Sequence, residues 1–233
     1  MDRGGLSAPT RMGCAAGAAS GVDSCWTCRR RLLSTAPRPG AGEGSRRAVD
    51  IDGEDMEDWI RRARSGDEAG LARVHVEGWR WGFRGLLPED YLAGLDQQAC
   101  QRRWQHMIGV DVRHRETWLA LRVGQVVGFC GFGVSRTSGP GQGEGELFSL
   151  YLCEEWAGKG IGRALCAAAL ERMQARGARR GVLWVLEDNA RARRFYDLAG
   201  WRADGARRQH PLADFEVSEV RYQIDLAGRG PGG

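Results

Sequence analysis

The chain has 233 residues, of which 42% are hydrophobic, which is room and material for one packed globular domain with or without a tail. Its net charge of +4 sits entirely in the first fifty residues, which carry eight arginines against four acids, while residues 51–233 hold 26 basic and 26 acidic groups. A nucleic-acid domain would show a basic footprint in its folded part, so that class of partner is not expected, and no apolar run reaches the roughly 18 residues of a membrane span.

Residues 1–55 are rich in Gly, Ala, Ser, Pro and Arg with no sustained apolar period, and read as a disordered extension. A start placed too far upstream would look the same. Cys25 and Cys28 have CxxC spacing, but no second pair follows, so two free thiols are expected and no metal. Seven cysteines in all fit a reducing cytoplasm. The heavy use of Arg, Ala and Gly, with Lys159 the lone lysine and Asn189 the lone asparagine, points to a GC-rich bacterial source.

The ordered domain is expected over 56–227, followed by a flexible tail at 228–233. Asp58–Ala63 reads as a short strand. Ser65 and Glu68 have capping-box spacing, with Asp67 as the other cap candidate, and Leu71, Val74, His75 and Gly78 recur with helical period over 67–80. Gly82–Pro88 reads as a loop. Helices follow after Pro88 and around Gln97–Met107. Thr117–Val123 and Val126–Val134 form a hairpin across Gly124-Gln125, and Ser135–Gly145 is a polar loop. Glu146–Cys153 is a strand whose strict alternation puts Glu146, Phe148, Leu150 and Leu152 on one face and Leu147, Ser149, Tyr151 and Cys153 on the other. After a glycine turn, Ile161, Leu165, Ala168, Ala169 and Met173 line a helix that stops at Gly177. Gly181–Leu186 is a buried strand. Asp188 or Asn189 caps a short helix running to Leu198, and strands around Trp201–Arg207 and Glu216–Leu226 close the domain. The fold class is α/β, with a mixed, largely antiparallel central sheet and flanking helices.

The turn Glu155-Trp-Ala-Gly-Lys-Gly-Ile-Gly162 joins a strand to a helix. A helix N-terminus exposes unpaired amides, and glycines let a ligand approach the backbone, so the turn is built for a phosphate or pyrophosphate. Glycines 158, 160 and 162 miss the spacing of the dinucleotide fingerprint, and Lys159 misses that of the triphosphate loop. They match Arg/Gln-x-x-Gly-x-Gly between strand and helix. The segment LYLCEEWAGKGIGRAL closely resembles the coenzyme A loop of GNAT-type N-acetyltransferases, with two departures: the Arg/Gln position is Ala157, and a common proline is Glu154. Residues 185–201, VLEDNARARRFYDLAGW, resemble the family's second motif, with Asn189, Ala192, Phe195, Tyr196, Gly200 and Trp201 filling each position. The resemblance covers about 57–226.

That resemblance implies acetyl transfer from acetyl-CoA to a primary amine of a small molecule or protein. It implies that Leu150, Tyr151 and Leu152 receive the pantetheine arm, that Ala157, Gly158, Lys159, Gly160, Ile161, Gly162 and Arg163 hold the pyrophosphate through their amides, and that Asn189 bonds the arm. Tyr196 is the expected proton donor to the departing thiolate, and it also contacts the coenzyme. Glu146 is the expected general base, with Glu144, Glu187 and His75 as alternatives. Trp79, Trp81 and Phe83 form an aromatic cluster expected to border the acceptor, with Trp79 and Phe83 as its contacts, and direct transfer needs no nucleophile from Cys153 or Cys166. The other reading on the same fold is a non-catalytic acyl-CoA sensor. The chain is expected to act as a monomer or homodimer.

Overall fold

The computed structural model describes residues 59–109, 115–136 and 143–227. The expectations for 1–55, for Cys25 and Cys28 and for 228–233 lie outside the described residues. In chain order the elements are β1 (Ile60–Arg62), α1 (Glu68–Gly82), α2 (Glu89–Ala93), α3 (Gln97–Gly109), β2 (Arg115–Arg122), β3 (Gln125–Val134), β4 (Glu144–Leu152), α4 (Ile161–Ala175), β5 (Arg180–Leu186), α5 (Ala190–Leu198), β6 (Arg202–Leu212) and β7 (Phe215–Asp225). They form a seven-stranded sheet in the order β1-β2-β3-β4-β5-β7-β6. Only β4 and β5 run parallel, as their connection through α4 requires, and every other pair is antiparallel.

Each face of the sheet carries its own core. Leu71, Val74, Trp79, Trp104 and Phe129 pack α1 to α3 on one face. Leu165, Ala169, Met173, Leu183, Trp201 and Tyr222 pack α4 and α5 on the other. Burying each such side chain contributes about 1.5–3 kcal/mol, which explains why two modest helical layers suffice.

Two expectations are corrected. The capping box does not form. Asp67 stands at the N-cap of α1, but its carboxylate accepts two bonds from Arg61 and one from the Arg64 amide, all at 2.8 Å, and Glu68 accepts from the Gly66 amide at 2.9 Å. An arginine from β1 outcompetes the helix's own amides for that carboxylate. The alternation of β4 is also broken. Gly131 pairs with Ser149, but Phe132 pairs with Leu147, so Phe148 is an extra residue, a β-bulge. Below the bulge the faces exchange. Leu147 joins the core under α4, whereas Tyr151 joins the core under α1. Smaller differences follow the packing: α1 continues through Gly82, and β6 runs on to Leu212 against β7.

His75 is 1% exposed, among the rings of Trp79, Trp104, Phe129 and Tyr151. Burial, assisted by the nearby charge of Arg103, holds its pKa down at about 3 against an ordinary 6.5. Between those values the unfolded chain binds a proton at this residue and the folded chain does not. The neutral ring's contribution is therefore complete above pH 6.5 and erodes as pH falls towards 3, by about 1.4 kcal/mol per unit. Urea unfolding at pH 7, 5 and 4 is expected to show this slope, and His75→Phe is expected to flatten it.

Candidate functional site

β4 and β5 pair only through Glu144–Glu146 and Arg180–Val182, and then separate. The bulge at Phe148 turns β4 away at that point. The separation opens a cleft of about 550 Å³ whose walls are β4 from Glu146 to Leu152, β5 from Trp184 to Leu186, α5 around Asn189, Ala192 and Tyr196, and the end of α1 at Trp81–Phe83.

At one end of the cleft lies the glycine turn. A 3₁₀ turn at Glu154–Trp156 leads into it, and Gly158 and Gly160 hold φ of 76° and 84°, values that a side chain disfavours. The first helix-bonded amide of α4 is Ala164, donating to Gly160 O at 3.1 Å. The amides of Ile161, Gly162 and Arg163 precede it and have no acceptor within the helix, which leaves them for an anion. Gly158, Gly160, Gly162 and Arg163 line the cleft. Three expected contacts fall differently. The Ala157 amide donates to Glu154 O at 3.0 Å and closes the turn, although the residue still lines the cleft. Lys159 is exposed, with its ammonium 4.6 Å from the centre of the Trp156 ring. The Ile161 side chain is buried in the core beneath, so only its amide is available to a ligand.

On the strand wall, Leu150, Tyr151 and Leu152 line the cleft, but Leu152 O already accepts from Trp81 Nε1 at 2.8 Å. Asn189 caps α5, its Oδ1 accepting from the Ala192 amide at 3.0 Å, and its side-chain NH₂ remains to donate into the cleft that it lines. The cap and the expected ligand role are therefore compatible.

With this geometry in view, the comparisons with known proteins are direct. Residues 77–201 match the Acetyltransferase (GNAT) family. The chain belongs to the GNAT acetyltransferase family. Over 132 residues it is 35% identical to the uncharacterized N-acetyltransferase YuaI of Bacillus subtilis, a match covering 56% of this chain and 72% of that protein. It is 29% identical over 183 residues to the mycothiol acetyltransferase of Thermobispora bispora, covering 77% of this chain and 55% of that longer protein. The fold matches PaiA N-acetyltransferase from Thermoplasma acidophilum in complex with coenzyme A, with a TM-score of 0.58, 22% identity and coverage of 71% of this chain and 97% of that one. As a GNAT enzyme the chain transfers an acetyl group from acetyl-CoA, its co-substrate, to an amine.

Tyr196, on α5, and Glu146, on β4, both line the cleft. The Tyr196 ring packs against Phe195, Trp201 and Tyr222 at 5.2, 6.1 and 6.3 Å. Burial, then the neighbouring Cys166, Tyr151 and Cys130, push its phenol well above its ordinary value, so it holds its proton at any working pH. Glu146 is 2% exposed, and its two oxygens accept from the Arg136 amide at 3.0 Å and from Arg136 Nη2 at 3.2 Å. Of the four base candidates, Glu146 is the one that lines the cleft. Glu144 is bound by Arg180 at 2.6 and 2.9 Å, Glu187 pairs with Arg207, and His75 is in the core. Cys153 is buried beside Arg73 with its thiol pushed up to about 11, chiefly by burial, and Cys130 is raised likewise, so these thiols stay protonated.

Of the expected acceptor residues Phe83 lines the cleft, but Trp79 is 0% exposed in the core, T-shaped against Phe83 at 4.9 Å. Its neighbour Trp81 lines the cleft instead, covered by the Arg191 guanidinium at 3.6 Å. Of the residues that line the cleft, sequence reasoning missed Arg191, Phe148, Ser149 and Trp184. Trp81 and Arg191 meet across 110 residues of chain, and nothing local signals it. Full-length protein titrated calorimetrically with acetyl-CoA is expected to bind, and Gly160→Asp, which sets a carboxylate at the phosphate turn on a left-handed residue, is expected to bind at least about tenfold more weakly.

Proposed function

We propose that Tyr196 and Glu146 carry the chemistry from the α5 and β4 walls of the cleft. The amine nitrogen attacks the thioester carbon, and the C–S bond breaks as the tetrahedral intermediate collapses. Tyr196 Oη gives its proton to the leaving sulfur. Glu146 takes the proton lost by the nitrogen, directly or through water. Backbone amides of Leu150–Leu152 polarise the thioester carbonyl. The pyrophosphate rests on the turn from Gly158 to Arg163, and Asn189 holds the pantetheine arm. The observation that carries this reading is that a proton-holding phenol and a carboxylate line one cleft beside the parted strands.

The acceptor is an amine of a small molecule or a protein, received by an aromatic wall of Trp81, Phe83, Phe148 and Trp184. Trp79 supports that wall from behind through Phe83. The setting we assign is a bacterial cytoplasm, with the chain a monomer or homodimer. The buried cysteines Cys100, Cys130, Cys153 and Cys166 are thiols and not disulfides, which supports a reducing compartment. No helix among the described residues is long and apolar enough to cross a membrane.

Steady-state kinetics test the proton donor. Tyr196→Phe keeps the ring packing and removes the hydroxyl, and is expected to lower kcat by about 10²–10⁴ with little change in KM for acetyl-CoA. A variant as fast as the wild type would remove Tyr196 from the mechanism. A wild type that binds acetyl-CoA and turns over no amine would support the sensor reading instead.

A further inference from the structure

Two polar groups have no task in acetyl transfer: Ser149, which lines the cleft, and Arg115, which stands outside its lining but packs on the lining residue Phe148. Arg115 starts β2, its guanidinium 5.0 Å from the centre of the Phe148 ring, and its buried Nε meets no acceptor among the described residues. The other arginines that stack on Phe148 and Trp184 are paired: Arg136 with Glu146 at 3.2 Å, Arg208 with Glu219 at 2.6 Å and Arg221 with Asp204 at 2.7 Å. Arg115 has no carboxylate partner among the described residues, and so adds a positive charge beside the cleft that none of them balances. Ser149 is 7% exposed, lines the cleft, and its buried Oγ is likewise without a partner among the described residues.

The two groups converge over Gly131. A Cβ at that glycine would stand 2.7 Å from Ser149 Oγ and 3.7 Å from Arg115 Nη2, so the missing side chain is what lets both lie over one stretch of backbone. The bulge aligns them with the catalytic carboxylate. Because Phe148 is extra, Glu146 and Ser149 face the same way, opposite Gly133 and Gly131, which are two residues or about 7 Å apart along β3. A hydroxyl and a guanidinium side by side are a donor pair for a planar anion.

We infer that Arg115 and Ser149 form a subsite for a carboxylate carried by the acceptor. Resting on the acetyl-transfer reading above, this makes the substrate class a short amine with a nearby carboxylate, amino-acid-like, rather than a polyamine. The amine reaches towards Glu146 while its carboxylate accepts from Ser149 Oγ and Arg115.

The test uses full-length wild-type protein and matched probes: L-alanine, L-glutamate and L-phenylalanine, each beside its α-carboxamide, with spermidine as the polycation. At least one acid is expected to exceed its amide about tenfold or more, both in kcat/KM with acetyl-CoA and in calorimetric affinity for the CoA-saturated protein. Arg115→Gln is expected to abolish the preference, and Arg115→Lys to restore part of it. A panel in which no acid outbinds its amide, or in which spermidine is preferred, overturns the subsite. A preference that survives in both Arg115→Gln and Ser149→Ala overturns the assignment to these residues. An acid that binds more tightly than its amide but is never acetylated keeps the subsite and overturns the transfer reading.

Discussion

Everything the cleft does depends on two neighbouring parallel strands that stop pairing. β4 and β5 share three residue pairs and then part. Parting leaves backbone groups of both strands without their ladder partners, and such groups demand replacements. Trp81 supplies one by donating to Leu152 O. A ligand that can bond along an open strand supplies others, which fits a long polar arm such as that of the coenzyme. The bulge at Phe148 belongs to the same device, since an extra residue increases the local twist and carries β4 off its neighbour.

The division of labour follows from which layer covers which face. α4 and α5 cover one face and bring the phosphate turn, Asn189 and Tyr196 to the cleft. α1 to α3 cover part of the other and stop short of Glu146, Phe148 and Trp184. The cleft thus draws its lining from both helical layers of one sheet. The ordinary reactive groups nearby are disarmed by burial: His75 stays neutral, and Cys153 and Cys130 stay protonated. Two carboxylates close to the cleft, Glu144 and Glu187, are held in ion pairs with Arg180 and Arg207.

The elements were legible because their signals are local. Period-3.6 apolar runs marked α1 and α4, Gly177 marked a helix end, and Asn189 marked the start of α5, where the structure finds its side chain capping. The glycine turn was legible because spacing alone separates it from other phosphate loops. The bulge was not, since a single extra residue leaves no mark in composition, and it reversed the predicted face of half a strand. Within the aromatic cluster Trp79 was singled out with Phe83, yet Trp81 is the tryptophan that lines the cleft, because both lie in the last turns of α1 and only tertiary packing decides which one is sealed against His75. The Arg191–Trp81 stack and the meeting of Arg115 with Ser149 join segments remote in sequence, and one sequence carries no trace of such pairs.

The near-absence of lysine has its own consequence. Acetyl-CoA is an acylating reagent towards any neutral amine, whereas a guanidinium stays protonated and inert. An enzyme of this kind lives with a reagent that can modify it. Here 33 of 34 basic side chains are arginine, and the one lysine, Lys159, is exposed on the glycine turn, over Trp156. Besides the chain's N-terminus, the protein therefore offers a single amine for self-acetylation. The mass spectrum after incubation with acetyl-CoA has at most two such additions to interpret, and a substitution at that one residue leaves a side-chain background of zero.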